Sequence, residues 1–329
     1  MVIKIVEARE LSLKVLAKYG YTPGESEVIT NSLIWAQKRG SSQGLNKLFG
    51  WRIKKRTEAK EPSVEKITDS SILINAKLGN HIVACDFAIK ETVDQIKDKS
   101  IFLIGVKNTD NSAGALGYYT EQLAGKGLVG IMMSAADPGV VAYGGKTPVF
   151  GTNPISIAVP TIDDPILLDM STAALTWGDL VKYDNESKPL PDGLAFDSVG
   201  NPTTDPKSAM DGWVTTFDKS YKSSGLALMI QILAGPLVGS IYSKDYNQCQ
   251  YGSLIIAINP EAFGDKNTFI ERVETMIKEI KESEKAVGFS DLQFPGERGY
   301  SISKQSTDNN ATEISTELYE KIINFLNKE

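Results

Sequence analysis

Helical and strand-like hydrophobic patterns alternate twice between residues 82 and 133, and this alternation restricts the chain to a fold built from both. Ile82, Cys85, Ile89, Val93 and Ile96 fall on one helical stripe that leads into the strand-like run Ile101-Phe-Leu-Ile-Gly-Val106. After a loop at 107–114 the pattern repeats, with a helix around 118–124 and a strand at 130–133. Such alternation predicts an α/β class. With 329 residues, 41% of them hydrophobic, the chain is long enough to bury a sizeable core.

The first sixty residues read as helical. Thr22-Pro-Gly-Glu25 has the form of a capping box with proline at the first helical position, followed by apolar Val28, Ile29, Leu33 and Ala36 at helical spacing. The Gly40-Ser-Ser-Gln-Gly44 stretch breaks that helix, and a second is expected over 45–60. Two short β-like runs follow at 64–67 and 71–75. Residues 134–225 are rich in glycine, proline and short apolar runs, as expected of site-building loops. A buried helix at 226–233, a strand at 254–258 and surface helices at 267–284 and 315–327 complete the pattern.

A net charge of −6 argues against a nucleic-acid partner. Charges are mixed into the apolar N-terminus, and the most apolar stretch, 225–239, is too short to span a bilayer, so no membrane role is expected. Cys85 and Cys249 are the only cysteines and fit no metal or disulfide pattern, which leads us to expect a cytoplasmic protein. No GxGxxG follows a strand, so a Rossmann fold has no direct support. The glycine-rich Tyr143–Thr147 stretch lacks the first glycine and the following helix of a phosphate loop, and reads as a turn.

Five motifs occur in order: Gly151-Thr-Asn-Pro154, Leu168-Asp-Met-Ser-Thr172, Asp197-Ser-Val-Gly-Asn-Pro-Thr-Thr-Asp-Pro206, Lys222-Ser-Ser-Gly-Leu-Ala-Leu-Met229 and Phe294-Pro-Gly-Glu297. With these the chain resembles the malate/L-lactate dehydrogenase-like family, which also holds 2,3-diketo-L-gulonate reductase, ureidoglycolate dehydrogenase and piperideine-2-carboxylate reductase. The resemblance implies a non-Rossmann α/β fold with a helical N-terminal region (1–70) packed with C-terminal helices (265–329). Between them lies a central mixed-sheet region (71–264) for cofactor and substrate. It also implies a homodimer acting on a small molecule, with NADH or NADPH as cofactor. By resemblance, Thr152, Asp169, Met170, Ser171, Thr172, Lys222, Ser223, Pro295, Gly296 and Glu297 contact that cofactor.

The pattern departs from the family where the substrate pocket is expected. The family's Ser-His-Gly with an arginine three residues later reads here Ser42-Gln43-Gly44-Leu45-Asn46-Lys47, and its second histidine falls at or beside Asn111. Ala135 stands where relatives often carry asparagine. The chain has one histidine, His81, at the start of the 82–96 stripe, where a first-turn polar residue accounts for it.

Ketone reduction needs a nearby proton donor, and the amides of Gln43 and Asn111 cannot release a proton usefully. Lys47 keeps a positive charge for a substrate carboxylate without arginine's bidentate fork. Three readings follow. A protonated cyclic imine brings its own proton, with Gln43, Lys47, Asn111 and the carboxylate of Asp197 lining its site. The protein could instead be a cofactor-binding or regulatory protein without catalysis. In the third, Lys47 or one of Tyr118, Tyr119 and Tyr143 replaces the acid in a 2-oxo acid reductase.

Overall fold

The apolar stripe at 82–96 exists because one face of its helix is sealed against a sheet: Ile82, Cys85, Ile89 and Ile96 are all buried. In a computed structural model, which describes residues 1–49, 53–240 and 251–328, the elements in chain order are as follows. The chain starts with β1 (Val2–Lys4), α1 (Ile5–Lys18), α2 (Pro23–Lys38), β2 (Ser63–Thr68), β3 (Ser71–Asn75), α3 (His81–Gln95), β4 (Ile101–Thr109) and α4 (Gly117–Ala124). It continues with β5 (Val129–Ser134), β6 (Val140–Val141), β7 (Pro148–Phe150), β8 (Ile155–Val159), β9 (Ile166–Met170), α5 (Trp177–Asn185), β10 (Ala195–Phe196), β11 (Pro202–Thr203), α6 (Pro206–Met210) and β12 (Trp213–Val214). The last elements are α7 (Tyr221–Ala234), β13 (Tyr251–Ile258), α8 (Lys266–Glu282), α9 (Glu297–Asp308), β14 (Ala311–Glu313) and α10 (Thr316–Asn327).

The central sheet has seven strands in the order β2-β3-β4-β13-β5-β8-β9. Only the β3–β4 pair is parallel, because α3 provides the crossover between them. Buried Ile74, Phe102, Ile104, Val106, Met132 and Ile255 from the sheet meet Ala84, Cys85 and Ile89 of α3 and Leu116, Tyr119 and Leu123 at α4. Each fully buried large aliphatic side chain there contributes about 1.5–3 kcal/mol relative to exposure. A second core joins α1 and α2, through Val15, Leu16, Ile29 and Leu33, to Ile314 and to Ile322 of α10. The β1–β14 pair ties the two chain ends together.

Several expectations are corrected. The helix expected over 45–60 is reduced to a 3-10 turn, Leu45–Phe49, and residues 50–52 lie outside the described set. Beyond them the chain is held by tertiary bonds instead of helical ones: Lys55 N–H reaches Tyr19 C=O at 3.2 Å and the Arg56 guanidinium pairs with Asp110. The loop expected at 107–114 begins later, because β4 runs on to Thr109. Residues 134–225 are not only loops, since β6, β7, β10, β11 and β12 form a small five-stranded sheet over their own core of Val140, Leu180, Leu190 and Val214.

Helix α7 is longer than expected and not fully buried, for Leu228, Met229 and Ile232 are exposed on one face. Strand β2, within the stretch assigned to the helical region, is an edge of the central sheet. Helix α8 reaches the β8–β9 end of that sheet, where the Ile162 N–H donates to Glu274. Cys85 is buried; Cys249 lies outside the described residues. Among the described residues no helix is long and apolar enough to cross a membrane.

Candidate active site

The break after α2 is made by Gly40, which adopts φ 68°, and by the turn that follows it. Gly44 must lack a side chain because a Cβ there would lie 2.4 Å from the Gln37 amide oxygen, which caps Leu45 N–H at 2.8 Å. This turn places Gln43, half-buried, one turn before Lys47. The Lys47 ammonium donates to Ser112 Oγ at 3.3 Å, joining the turn to the loop that carries Asn111. Lys47 is partly buried, and loss of hydration around its ammonium lowers its pKa to about 8.

Asn111 follows β4 in a left-handed conformation, φ 71°, which asparagine tolerates better than most residues. Its side chain is buried, and the hydrogen bonds around it fix which end of the amide is which. The Tyr21 hydroxyl has one proton and gives it to the Ile53 carbonyl at 2.8 Å, a group that can only accept. The Asn80 amide oxygen caps α3 by accepting from Ile82 N–H and Val83 N–H, so Asn80 Nδ2 must be the atom at 2.9 Å from the Tyr21 oxygen. The same oxygen is therefore an acceptor for Asn111 Nδ2 at 3.2 Å. Asn111 Oδ1 is left buried and without a hydrogen-bond partner. An unmet buried acceptor of this kind costs about 1–3 kcal/mol until a donor reaches it.

His81 supports the same loop. Its Nε2 lies 2.8 Å from Ser253 Oγ, its ring hydrogen-bonds to the Asn111 backbone, and its peptide N–H donates to Asp110 C=O. Full burial pushes its pKa down to about 4, so it is a neutral structural residue at working pH. The three tyrosines considered as replacement acids do not suit the role. Burial raises Tyr118 to about 12, Tyr119 is enclosed with its hydroxyl donating to Ala113 C=O, and Tyr143 is exposed.

Several of the residues expected at the cofactor are joined to one another by hydrogen bonds. The Thr152 carbonyl accepts from Thr172 N–H at 2.9 Å and from the hydroxyls of Ser171 and Thr172, which locks the Gly151–Pro154 turn onto the end of β9. Met170, half-buried, closes β9 between Asp169 and that lock. Leu167 N–H, on the same strand, donates to Pro295 C=O, and Gly296 at φ 98° packs so closely on Leu167 that a Cβ would sit 3.0 Å away. Glu297 is engaged by Lys281 and by Phe294 N–H. Asp169 Oδ2 accepts Gly117 N–H at 2.8 Å. Its carboxyl is open to solvent on one edge and crowded elsewhere, and the crowding raises its pKa to about 6. Lys222 stands exposed in the first turn of α7, where its ammonium and the positive end of a 14-residue helix coincide. A cation at a helix N-terminus suits a phosphate group.

Two expected residues serve other ends. Asp197 is anchored in its own turn, its carboxylate accepting from Val199 N–H, Asn201 N–H and Asn201 Nδ2, and no hydrogen bond or ion pair among the described residues joins it to Lys47 or Asn111. The Ser223 hydroxyl is buried between Thr216 and Asp218 and cannot face a ligand. The residues that sequence reasoning missed are Tyr21, Asn80 and Ser112. Only Asn80 carried a local signal, as an N-cap before the 82–96 stripe.

The family model described as malate/L-lactate dehydrogenase matches residues 3–323. The chain is 33% identical to the malate/(S)-sulfolactate dehydrogenase of Methanothermus fervidus, over 98% of this chain and 96% of that protein. It is 30% identical to Delta(1)-pyrroline-2-carboxylate reductase 2 of Burkholderia multivorans, over 99% and 98% of the two chains. The solved structure of sulfolactate dehydrogenase from Methanocaldococcus jannaschii superposes with a TM-score of 0.86 at 27% identity, covering 99% of this chain and 97% of that one.

Proposed function

The chain belongs to the malate/L-lactate dehydrogenase family and is an oxidoreductase, and from that premise we propose that it reduces a small, carboxylate-bearing cyclic imine with NADH or NADPH. The observation that carries the proposal is the orientation of Asn111. Its Nδ2 end is anchored by one N–H on Tyr21 and its bare oxygen is an acceptor. A ketone oxygen gaining negative charge needs a donor, whereas the N–H of a protonated imine needs an acceptor.

When bound, a reduced nicotinamide supplies the hydride that such a carbon accepts. Lys222, Thr152 and the Asp169–Thr172 segment would hold that cofactor. The protein's remaining work is positional. Lys47, steadied by Ser112, offers its ammonium to the substrate carboxylate. Asn111 Oδ1 accepts the imine N–H, which orients the C=N bond and favours the protonated form. Addition of hydride to the carbon of C=N–H⁺ gives an amine, the nitrogen keeping its own proton and taking up the C=N electron pair. No enzyme acid is required. The 30% identity to a pyrroline-2-carboxylate reductase supports this substrate class.

A second reading rests on Lys47 itself. An ammonium with a pKa near 8 is a competent general acid close to neutrality, and would allow reduction of a 2-oxo acid. Side-by-side assay of cyclic imino acids, pyruvate and oxaloacetate with both cofactors separates the two. Preference for the imine supports the first, and rapid 2-oxo acid reduction the second. The homodimer is part of the proposal, supported by the exposed Leu228, Met229 and Ile232 beside Lys222 as an apolar face for a second copy.

A further inference from the structure

We infer that Tyr21 is the specificity-determining residue of this site: its hydroxyl fixes the Asn111 amide so that the site presents an acceptor and rejects substrates that need a donor. The inference rests on the imine reading above and names what enforces it.

An asparagine amide has nearly the same shape in either orientation, so a site lined by asparagine does not by itself distinguish C=N–H⁺ from C=O. A partner that can only accept removes that ambiguity. Tyr21 is buried, 5% exposed, and its single proton is held by the Ile53 carbonyl. Its lone pairs therefore face Asn80 Nδ2 and Asn111 Nδ2, and Asn80 cannot reverse because its oxygen caps α3. The Asn111 backbone is also held, by the His81 ring and through the Asp110 carbonyl that bonds His81 N–H. Rotation of the amide group is the freedom that remains, and the tyrosine hydroxyl blocks it. Reversal would place a carbonyl oxygen against the Tyr21 oxygen, two acceptors facing each other, at a buried position.

Removing the hydroxyl, as in Tyr21→Phe, lets either end of the Asn111 amide face the substrate. A donor then becomes available to a ketone, and the site loses its preference. The test is the ratio of kcat/KM for a cyclic imino acid to that for pyruvate, measured for the wild type and for Tyr21→Phe shown to be folded by circular dichroism. We expect the ratio to fall at least tenfold, chiefly through loss of imine kcat/KM with a gain for pyruvate. A ratio unchanged within twofold would overturn the role of Tyr21 while leaving the imine reading intact.

If Tyr21→Phe does not fold, the wild-type protein decides by NMR. With L-proline as the saturated cyclic imino-acid probe, the Asn111 side-chain Cγ resonance should shift while its Nδ2–H keeps its exchange protection, as assigned against Asn111→Ala. Loss of that protection would overturn the inference, as would no Cγ shift at saturating probe. A wild type that prefers pyruvate defeats the imine reading itself. In that case, where Tyr21→Phe folds, NMR of the free protein still tests Tyr21, through the loss of Asn111 Nδ2–H protection expected in the variant.

Discussion

Asp169 on β9 accepts the peptide N–H of Gly117 at 2.8 Å, and this bond ties the expected cofactor strand to the far end of the loop that bears Asn111 and Ser112. Gly117 admits no side chain there, since a Cβ would lie 2.9 Å from Trp35 and 3.0 Å from Asp169. Asp169→Ala leaves a buried N–H unpaired and should lower stability by about 1–3 kcal/mol, while Asp169→Asn keeps an acceptor and most of that stability. The wild-type carboxyl, raised to about 6, holds its proton in the folded state after the unfolded chain has released it. Stability from this group should therefore fall as pH rises from about 4 to about 6. Urea titrations across that window should show the slope in the wild type and its loss in Asp169→Asn.

Lys47 should give the KM for a carboxylate substrate a pH dependence. Its pKa near 8 means the anchoring charge is present at pH 7 and disappears as pH passes 8, so KM should rise there. Lys47→Ala should raise KM by roughly 10–100-fold at pH 7, the equivalent of about 1.5–3 kcal/mol for a charged hydrogen bond. Lys47→Arg should remove the break near 8, because its cation does not titrate. KM measured from pH 6 to 9.5 for all three forms checks this.

Lys222→Ala should weaken binding of the reduced cofactor by about 1–3 kcal/mol, with a smaller effect at high salt because the side chain is exposed. Fluorescence titration with NADH and with NADPH provides the measurement. Equal affinity for both cofactors in variant and wild type would remove Lys222 from the site.

His81 should govern acid stability and, being uncharged near neutrality, add no break of its own to the catalytic pH profile there. Its folded pKa of about 4 lies below the unfolded value of 6.5, so the unfolded chain takes up a proton first and stability is lost as pH falls from about 6.5 to about 4. The full loss is about 3 kcal/mol. His81→Gln should flatten that slope in chemical denaturation.

What could be read from residue order was whatever depends on local period and capping. The Thr22 capping box, the 82–96 stripe and β4 and β5 stand where the pattern put them, because each buries a face that the spacing itself defines. The helix expected over 45–60 failed because Tyr19, Tyr21 and Asp110, all outside it, claim the backbone of Lys55 and Ile53 and the side chain of Arg56. The small sheet was invisible because strands of two or three residues carry no period. In the candidate site, the nearness of Lys47 to the loop of Asn111 was legible from the motif that they depart from. Tyr21 was not, since its partners lie 59 and 90 residues away. Asp197 shows that a motif residue can also close its own turn.

The central claim is that the substrate, and not the enzyme, brings the proton. It is tested most directly by the pH profile of kcat/KM for two cyclic imino acids whose imine pKa values differ. Lys47 contributes the same break to both profiles, so the claim predicts that they differ by a second break displaced by the difference between the two substrate pKa values. Superimposable profiles, with every break belonging to the enzyme, would contradict it.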